Sequence, residues 1–591
     1  MDAVCETARI NEAVMEQITM NSGTKMGVEQ GLAALKAEVS GARLMETVSG
    51  LAKWWKLAGT PDEMESLETL RAGFIEAGYR VSLILHDAYI SLPGKASLRI
   101  GERNYKCITH SMAKPTPEKG LEAELVDIGA GKDADIAGKY LKGKIVVVDG
   151  IATTNVAQRM SKLGVAGIIH VSPHEHIHEM CVSPVWGSPS IKTMNNLPVC
   201  SIVSVSDADG AHIRKLIADA KSGVNGLMQT QVDTGWRKTP ILVAEMEAPE
   251  ASKQSPFVLF SGHHDTWYYG VMDNGSANAS ILEVARLAAT QQQQWKRNLR
   301  ICIWSGHSQG RYSGSAWYAD QNWSEFDQYC VAHVNIDSPG AIGATNLRNT
   351  GVMSALRPLA AQAIATETGQ ELAGKPKVRS ADESFQSVGI PSMFGSLSGQ
   401  VQDPNSKMRN ALGWWWHTPD DLLDKIDETN LVRDTKVVLE SVYRLLSEDV
   451  LPIDIQAPLS ALAGELTTLQ STFADHFDLA PIRERIETLT AHFTTLHASK
   501  DANLINTMIK QASRELVLLE HSHGDRFLHE LAINQPAWPV LDPLRRLAKE
   551  KPGSDNFHFA YVDAVRSRNR LAWHLDLIAE RTQIAAARSL S

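Results

Sequence analysis

Four short apolar segments alternate with helical stretches between residues 241 and 440 of this 591-residue chain. The segments are residues 256–261, 299–304, 331–336 and 391–394. Short apolar runs separated by helices are typical of a largely parallel β-sheet. The region therefore predicts an α/β domain that is built on a mostly parallel central sheet.

The rest of the chain divides into three further parts. Residues 1–125 begin with helices and continue into a strand-like pattern, which we interpret as the first part of the same α/β domain. Residues 126–240 alternate strands and helices on their own and predict an inserted unit. Its strands are predicted at 144–148, 167–171 and 197–203, with helices at 155–163 and 209–218. Residues 441–591 are helical by pattern and predict a C-terminal helical domain.

The composition of the chain limits its partners and its compartment. The formal net charge is −10, which argues against nucleic acid or an anionic membrane as the main partner. No apolar run approaches the ~18 residues that cross a bilayer, and the N-terminal segment lacks the apolar core of a secretory signal. The six cysteines are scattered without a Cys-X-X-Cys pair, which favours reduced thiols. We therefore predict a cytoplasmic protein.

Four polar residues lie at strand ends or in loops of the predicted sheet. His263 and Asp337 each follow an apolar segment directly, and Asp273 comes ten residues after His263, just before a helix. His417 lies far downstream. Ligands of open α/β sheets bind beyond the carboxyl ends of the strands. Two histidines and two aspartates suit a divalent cation that accepts nitrogen and oxygen ligands.

The motifs around these residues resemble, in the same order, those of the M28 metallopeptidase family. They are SGHHDTW at 261–267, MDNGSAN at 272–278, NID at 335–337 and WHTPDD at 416–421. The AGTP segment at 58–61, the inserted unit and the helical tail are similar to the glutamate carboxypeptidase and transferrin-receptor branch of that family. The inserted unit looks like the protease-associated domain of that branch.

The resemblance implies a metal centre with assigned roles. His263, Asp337 and a bridging Asp273 would form one site, while Asp273 and His417 would contribute to a second. Asp265 would orient the ring of His263 with its carboxylate. The implied cofactor is a divalent metal, with zinc as the first choice and one or two ions bound. The helical domain pairs with a second subunit in this branch, so we expect a homodimer.

The sequence departs from the family pattern after the segment 299–304. The family places two consecutive glutamates there, a general base and a ligand of the second metal, whereas this chain has His307 and Ser308. Histidine can act as a general base near neutral pH, but serine is a poor neutral ligand. We therefore predict His307 as the base and a weakly held second ion, unless His307 itself binds the metal. The alternative is an inactive site.

Other residues near this segment are candidates for substrate binding. Arg311 could bind a substrate carboxylate with two parallel hydrogen bonds, or it could be an ordinary ion-paired loop residue. Ser308 and Trp416 are assigned to the substrate pocket, although simple packing explains Trp416 equally well. The histidine-rich run at 170–181 has spacing that could bind a metal, contact a substrate or form an ordinary polar loop.

Three functions remain open at this point. The first is a metal-dependent hydrolase of amide or peptide bonds in a small molecule or short peptide that bears a carboxylate. The second is a metal-dependent carbon–nitrogen lyase or isomerase on the same scaffold, in which His307 would move a proton on carbon. The third is a non-catalytic binding protein. The retained set of ligands favours a catalytic role, and hydrolysis is the first choice among the reactions.

Overall fold

A computed structural model of the chain describes residues 27–374, 377, 379–402, 411–473, 475–496 and 499–589. Within this part, twelve strands are joined by hydrogen bonds into one continuous sheet, and helices flank it. The helices predicted over the first 26 residues lie outside the described residues.

The strands are numbered in chain order. They are β1 (Arg80–Ile100), β2 (Arg103–Tyr105), β3 (Ile108–Thr109), β4 (Leu121–Asp127), β5 (Ile145–Asp149), β6 (Gly167–Val171), β7 (Ser201–Val205), β8 (Asn225–Met246), β9 (Phe257–His263), β10 (Asn298–Trp304), β11 (Cys330–Asp337) and β12 (Ser392–Ser396).

The helices are numbered in the same way, beginning with α1 (27–37). The others are α2 (Gly41–Leu51), α3 (Pro61–Glu76), α4 (Asp133–Ile136), α5 (Thr154–Lys162), α6 (Asp207–Asp219), α7 (Ala277–Ala289), α8 (Ser313–Gln321), α9 (Trp323–Tyr329), α10 (Arg357–Thr368), α11 (Glu428–Ser447), α12 (Gln456–Phe473), α13 (Ala480–Leu496), α14 (Ala502–His521), α15 (Asp542–Leu547) and α16 (Asp555–Ser589).

The order of the strands shows two parallel sheets that share one long ribbon. The path is β12-β11-β9-β10-β8-β4-β5-β6-β7-β3, with β1 paired to β8 and β2 paired to β1. Strands β12, β11, β9 and β10 are parallel, as are β4, β5, β6 and β7. The antiparallel β1–β8 ribbon runs between them and pairs with β10 at one end and β4 at the other. This arrangement confirms the predicted α/β fold with a mostly parallel central sheet.

The strands β9 to β12 begin and end within two residues of the apolar segments that predicted them. The strand predicted at 197–203 was placed too early, because β7 begins only at Ser201. Pro198 has no N–H group to donate to a sheet ladder, so the chain before Ser201 stays irregular.

The predicted domain borders at 125/126, 240/241 and 440/441 fall inside β4, β8 and α11. The chain passes each of these positions within a strand or helix and without a loop, and the division into domains stays a prediction. Strands β4 to β7 form the second parallel part of the continuous sheet, and helices α5 and α6 belong to the same inserted region. Its assignment as a protease-associated domain stays a prediction.

The helical tail packs against the α/β domain through a shared hydrophobic core. One cluster of buried side chains extends from Phe260 in β9 through Val442 in α11 to Leu462 in α12 and Leu575 in α16. Helices α8 and α9 pack on the opposite side of β10, around Trp304. The sheet that carries the candidate ligands is therefore covered on both faces. Among the described residues, no helix has the length and apolar character needed to cross a membrane.

Candidate metal centre

The strand register brings His263 and Asp337 together. His263 ends β9 and Asp337 ends β11, and these neighbouring strands are parallel with Asn335 opposite Ser261. Because both strands end at the same edge of the sheet, the two side chains meet there. His263 Nε2 lies 3.7 Å from Asp337 Oδ2, and both residues are buried.

Asp273 lies between the two candidate histidine ligands. It sits in the turn before α7, and its peptide bond to Asn274 is cis. Asp273 Oδ1 is 3.3 Å from His263 Nε2, and Oδ2 is 3.0 Å from His417 Nε2. The structure thus brings all four predicted ligands together, with the carboxylate of Asp273 in the central position that the resemblance implies.

Main-chain carbonyl groups orient both histidines. His263 Nδ1 lies 2.8 Å from the carbonyl oxygen of Asp265, and His417 Nδ1 lies 2.7 Å from that of Glu179. An imidazole that donates from Nδ1 leaves Nε2 free to accept, which is how second-sphere groups fix histidine ligands. The Nε2 atoms of both rings therefore face Asp273.

The expected role of the Asp265 carboxylate was wrong. Its oxygens accept hydrogen bonds from the backbone N–H groups of His307, at 3.0 Å, and Ser308, at 2.8 Å. The turn after β10 lies beside the end of β9, and its N–H groups donate to the carboxylate of Asp265. The main-chain carbonyl of Asp265 accepts the hydrogen bond from the imidazole of His263. Asp265 thus connects the ring of His263 to the segment that carries His307.

A buried carboxylate also holds the turn that carries Asp273. Asp421 Oδ1 accepts from the N–H of Met272 at 2.8 Å, and Oδ2 accepts from the N–H of Asp273 at 3.0 Å. Burial raises the pKa of Asp421 to about 7, although these two hydrogen bonds lower it. Asp421 belongs to the WHTPDD motif, so the motif supplies both His417 and the support of Asp273.

The donor set fits a divalent cation. Among the described residues, the buried Nε2 atom of His263 has no hydrogen-bond partner. Burial alone would lower the pKa of His263, but the carboxylates of Asp273 and Asp337 raise it well above its ordinary value. The negative charges of these two carboxylates also favour a cation beside His263 Nε2. Two imidazoles and two carboxylates form a nitrogen and oxygen set that zinc accepts.

His307 lies at the edge of this cluster. Its ring stacks on that of His263, with centroids 3.6 Å apart and planes inclined by 14°. His263, His307 and Asp337 offer ligand atoms within 4.8 Å of one another. The preceding Gly306 has a positive φ of 76°, which is accessible to glycine and allows the turn to place His307 there.

Asp382 is a site residue that the sequence analysis missed. Its Oδ2 lies 2.7 Å from His307 Nδ1, and the carboxyl group is fully buried. A single aspartate in the loop between α10 and β12 has no motif or periodicity that marks it. Asp382 lies 75 residues from His307 in the sequence, and only folding brings the two side chains together.

A cavity of about 250 Å³ opens beside the cluster. Its wall includes Asp273, Asp337 and His417 together with the predicted His307, Ser308, Arg311 and Trp416. Met180, Trp267 and Leu412 add apolar surface. The ring of Trp416 stacks on His417 with centroids 3.6 Å apart, so this tryptophan packs on a candidate ligand and lines the cavity at once.

Arg311 contacts the inserted region, and its role in binding a substrate carboxylate stays a prediction. Its Nε donates to the carbonyl of Ser183 at 3.1 Å, and its Nη2 donates to the carbonyl of Cys181. The edge of the guanidinium formed by Nε and Nη2 therefore binds main-chain carbonyls of the inserted region. Burial of these carbonyls explains the contact, because each needs a donor.

The histidine-rich run at 170–181 contacts the segment that ends in His417. His178 Nδ1 lies 2.5 Å from the carbonyl oxygen of Trp416, and the N–H of Glu179 donates to the carbonyl of His417 at 3.0 Å. The ring of His176 stacks on Trp414 at 4.2 Å. Among the described residues, no set of three potential metal ligands falls in this run. The run thus supports a candidate ligand from the inserted region.

Two imidazoles and two carboxylates, two of them at the ends of parallel strands, form a donor set that suits a metal ion in an α/β protein. Comparison with known families makes the class more specific, because residues 242–442 match the model of peptidase family M28. This region contains all four candidate ligands. The match confirms the resemblance found in the motifs.

Curated relatives are distant and longer than the matched regions. The chain is 26% identical over 343 residues to a probable glutamate carboxypeptidase of Zea mays, covering 48% of each chain. It is 23% identical over 310 residues to carboxypeptidase Q of Xenopus laevis, covering 50% of this chain and 58% of the relative. The chain therefore spans about half the length of the curated relatives it matches.

Two solved structures show the same fold at low identity. A zinc aminopeptidase from Bacillus subtilis aligns with a TM-score of 0.53 and 19% identity, covering 69% of this chain and 96% of that one. A peptidase M28 precursor from Shewanella amazonensis SB2B aligns with a TM-score of 0.55 and 18% identity, covering 73% and 98%.

Proposed function

We propose that the chain is a metal-dependent hydrolase that cleaves amide or peptide bonds in a small molecule or short peptide. The observation that carries this proposal is the convergence of His263, Asp273, Asp337 and His417 at one cavity, with His307 at its edge. The match of residues 242–442 to the model of peptidase family M28 supports the same reaction. Zinc is the proposed metal, since the donors are imidazoles and carboxylates.

The metal would be held by the four residues with Asp273 in the central position. When bound, it would polarise the scissile carbonyl and lower the pKa of a water molecule. His307 would take a proton from water at Nε2, because its Nδ1 is hydrogen-bonded to Asp382. The same Nε2–H then protonates the leaving amine nitrogen, so that water has been added across the C–N bond. Trp267 and Trp416 exclude bulk water from one wall.

The second ion would be bound more weakly than the first. The proposed second site retains Asp273 and His417, while Ser308 stands at the position of a family glutamate and uses its N–H on Asp265. A neutral hydroxyl cannot supply the missing negative charge. We therefore propose one tightly held ion, with a second bound only at higher metal concentration.

The cavity limits the proposed substrate. A volume of about 250 Å³ accommodates a short peptide or small amide rather than a folded protein. Arg311 lines the wall with a positive charge even though two of its nitrogens bind carbonyl groups. The proposed substrate therefore bears a carboxylate that is attracted by this charge.

Product analysis in ¹⁸O-labelled water tests the reaction. A panel of N-acylated amino acids and dipeptides is incubated with the zinc-loaded protein, and the products are identified by mass. Hydrolysis predicts equal amounts of amine and acid, with one ¹⁸O atom in the new carboxyl group. A product with a new double bond and no label would establish the lyase alternative. Tight binding without turnover by a fully metal-loaded protein would establish the binding protein.

We also propose a homodimer that forms through the helical tail. Phe559, Val562 and Trp573 are exposed on one side of α16, although large apolar side chains favour burial. Light scattering should report two chains at micromolar concentration, and replacing Phe559 and Trp573 together with glutamate should yield one. A wild-type protein that stays monomeric at high concentration would contradict this proposal.

A further inference from the structure

The pair of His307 and Asp382 stands out because the family pattern has a glutamate where this chain has His307. A glutamate base needs no partner to define its reactive atom, since its two oxygens are equivalent. A neutral histidine carries its proton on one of two nitrogens, and a neighbouring group decides which. The distance of 2.7 Å between His307 Nδ1 and Asp382 Oδ2 identifies that group.

The carboxylate of Asp382 is itself held in place. Its second oxygen accepts a hydrogen bond from Ser315 Oγ at 2.8 Å. The hydroxyl groups of Ser315 and Ser384 lie 2.9 Å apart, and Trp186 Nε1 donates to Ser384 Oγ at 2.9 Å. Both oxygens of Asp382 are thus occupied in a buried network that begins in the inserted region at Trp186. A carboxylate fixed in this way can orient an imidazole without moving itself.

We propose that Asp382 is a positioning residue that compensates for the replacement of the family glutamate by His307. It accepts the proton on Nδ1 of His307, which keeps the ring parallel to that of His263 and leaves the lone pair of Nε2 facing the metal cluster. The proposal deepens the proposed function and rests on it, because Nε2 is the atom that takes the proton from water. Ser315 supports the arrangement from the other carboxylate oxygen.

Asp382→Asn tests this role with the smallest change in shape. The amide can turn its NH₂ group toward the ring, which favours the tautomer with the proton on Nε2 and removes the base. We expect kcat to fall about 10²–10⁴-fold, with KM changed by less than about 3-fold. Metal content should stay at the wild-type level. Ser315→Ala should lower kcat less, by about 10-fold, because it removes only the support of Asp382. This variant provides the test of the positioning role if Asp382→Asn does not fold.

A double variant separates positioning from general structural support. If Asp382 acts through His307, Asp382→Asn should cause no further loss in protein that already carries His307→Ala. Equal losses in both backgrounds would overturn the proposal. Glu515→Gln is the matched control, because Glu515 forms a buried pair with His574 in the helical tail at 2.7 Å. It should lower the melting temperature and leave kcat unchanged.

A spectroscopic measurement keeps the proposal independent of the proposed reaction. The ¹⁵N chemical shifts of His307, assigned by comparison with His307→Ala, report which ring nitrogen carries the proton. The wild type should show protonated Nδ1, and Asp382→Asn should shift the proton to Nε2. The same tautomer in both proteins would overturn the positioning role. If the tautomer changes but no amide is hydrolysed by the wild type, the proposed function fails while the positioning role stands.

Discussion

Replacing His307 with alanine should lower turnover strongly while metal content stays close to that of the wild type. General-base removal typically costs ~10²–10⁴-fold in rate. The metal should remain because His263, Asp273, Asp337 and His417 converge without help from the ring of His307. Turnover on the amide substrate and zinc content by atomic absorption are measured on the same samples.

Glutamate at this position sharpens the test. His307→Glu introduces the acidic group that the resemblance implies at this position, so a hydrolase should preserve or raise its amide hydrolysis. If the native reaction is instead a proton transfer on carbon, the same variant should abolish that reaction. Loss of metal together with activity in His307→Ala would instead make His307 a ligand. Wild-type rates in both metal-loaded variants would contradict any role of His307.

Replacing Asp273 with asparagine should have the largest effect on metal binding. The two oxygens of Asp273 face His263 and His417, so asparagine removes the negative charge that both halves of the cluster share and replaces one of the two oxygens with an NH₂ group. We expect activity to fall below detection and the thermal shift caused by zinc to disappear. In the wild type, zinc at 100 times its Kd should add about 2.7 kcal/mol of stability.

The matched control for this variant is Asp420→Asn, which removes an exposed carboxylate close to His417 in sequence. Its melting temperature should rise with zinc as in the wild type. Zinc binding by Asp273→Asn with wild-type affinity would contradict the central position of Asp273.

The four candidate ligands could be predicted from the sequence because two of them end strands and two belong to ordered motifs. A parallel sheet brings the ends of β9 and β11 to one edge whatever the loops between them do, so His263 and Asp337 had to approach each other. The order of the motifs along the chain added Asp273 and His417. The apolar segments located the four strands for the same reason, since buried parallel strands are apolar on both faces.

The supporting contacts could not be predicted, because they join distant parts of the chain or use main-chain atoms. The carbonyl of Glu179 that orients His417 lies 238 residues away and would be the same for any residue type. Arg311 also binds main-chain carbonyls of a distant segment, the inserted region. Its position in the sequence therefore predicted a positive charge near the site but not these partners. The continuous strand β8 across position 240/241 was likewise not marked by the sequence pattern.

The most direct test of the metal centre is a crystal structure of the zinc-loaded protein, with anomalous diffraction recorded on both sides of the zinc absorption edge. The account predicts a strong peak at roughly 2.0–2.2 Å from His263 Nε2 and from a carboxylate oxygen of both Asp273 and Asp337. A second, weaker peak beside His417 would fit the proposed weak site. Fully occupied zinc elsewhere in the protein, with no peak among these side chains, would contradict the account.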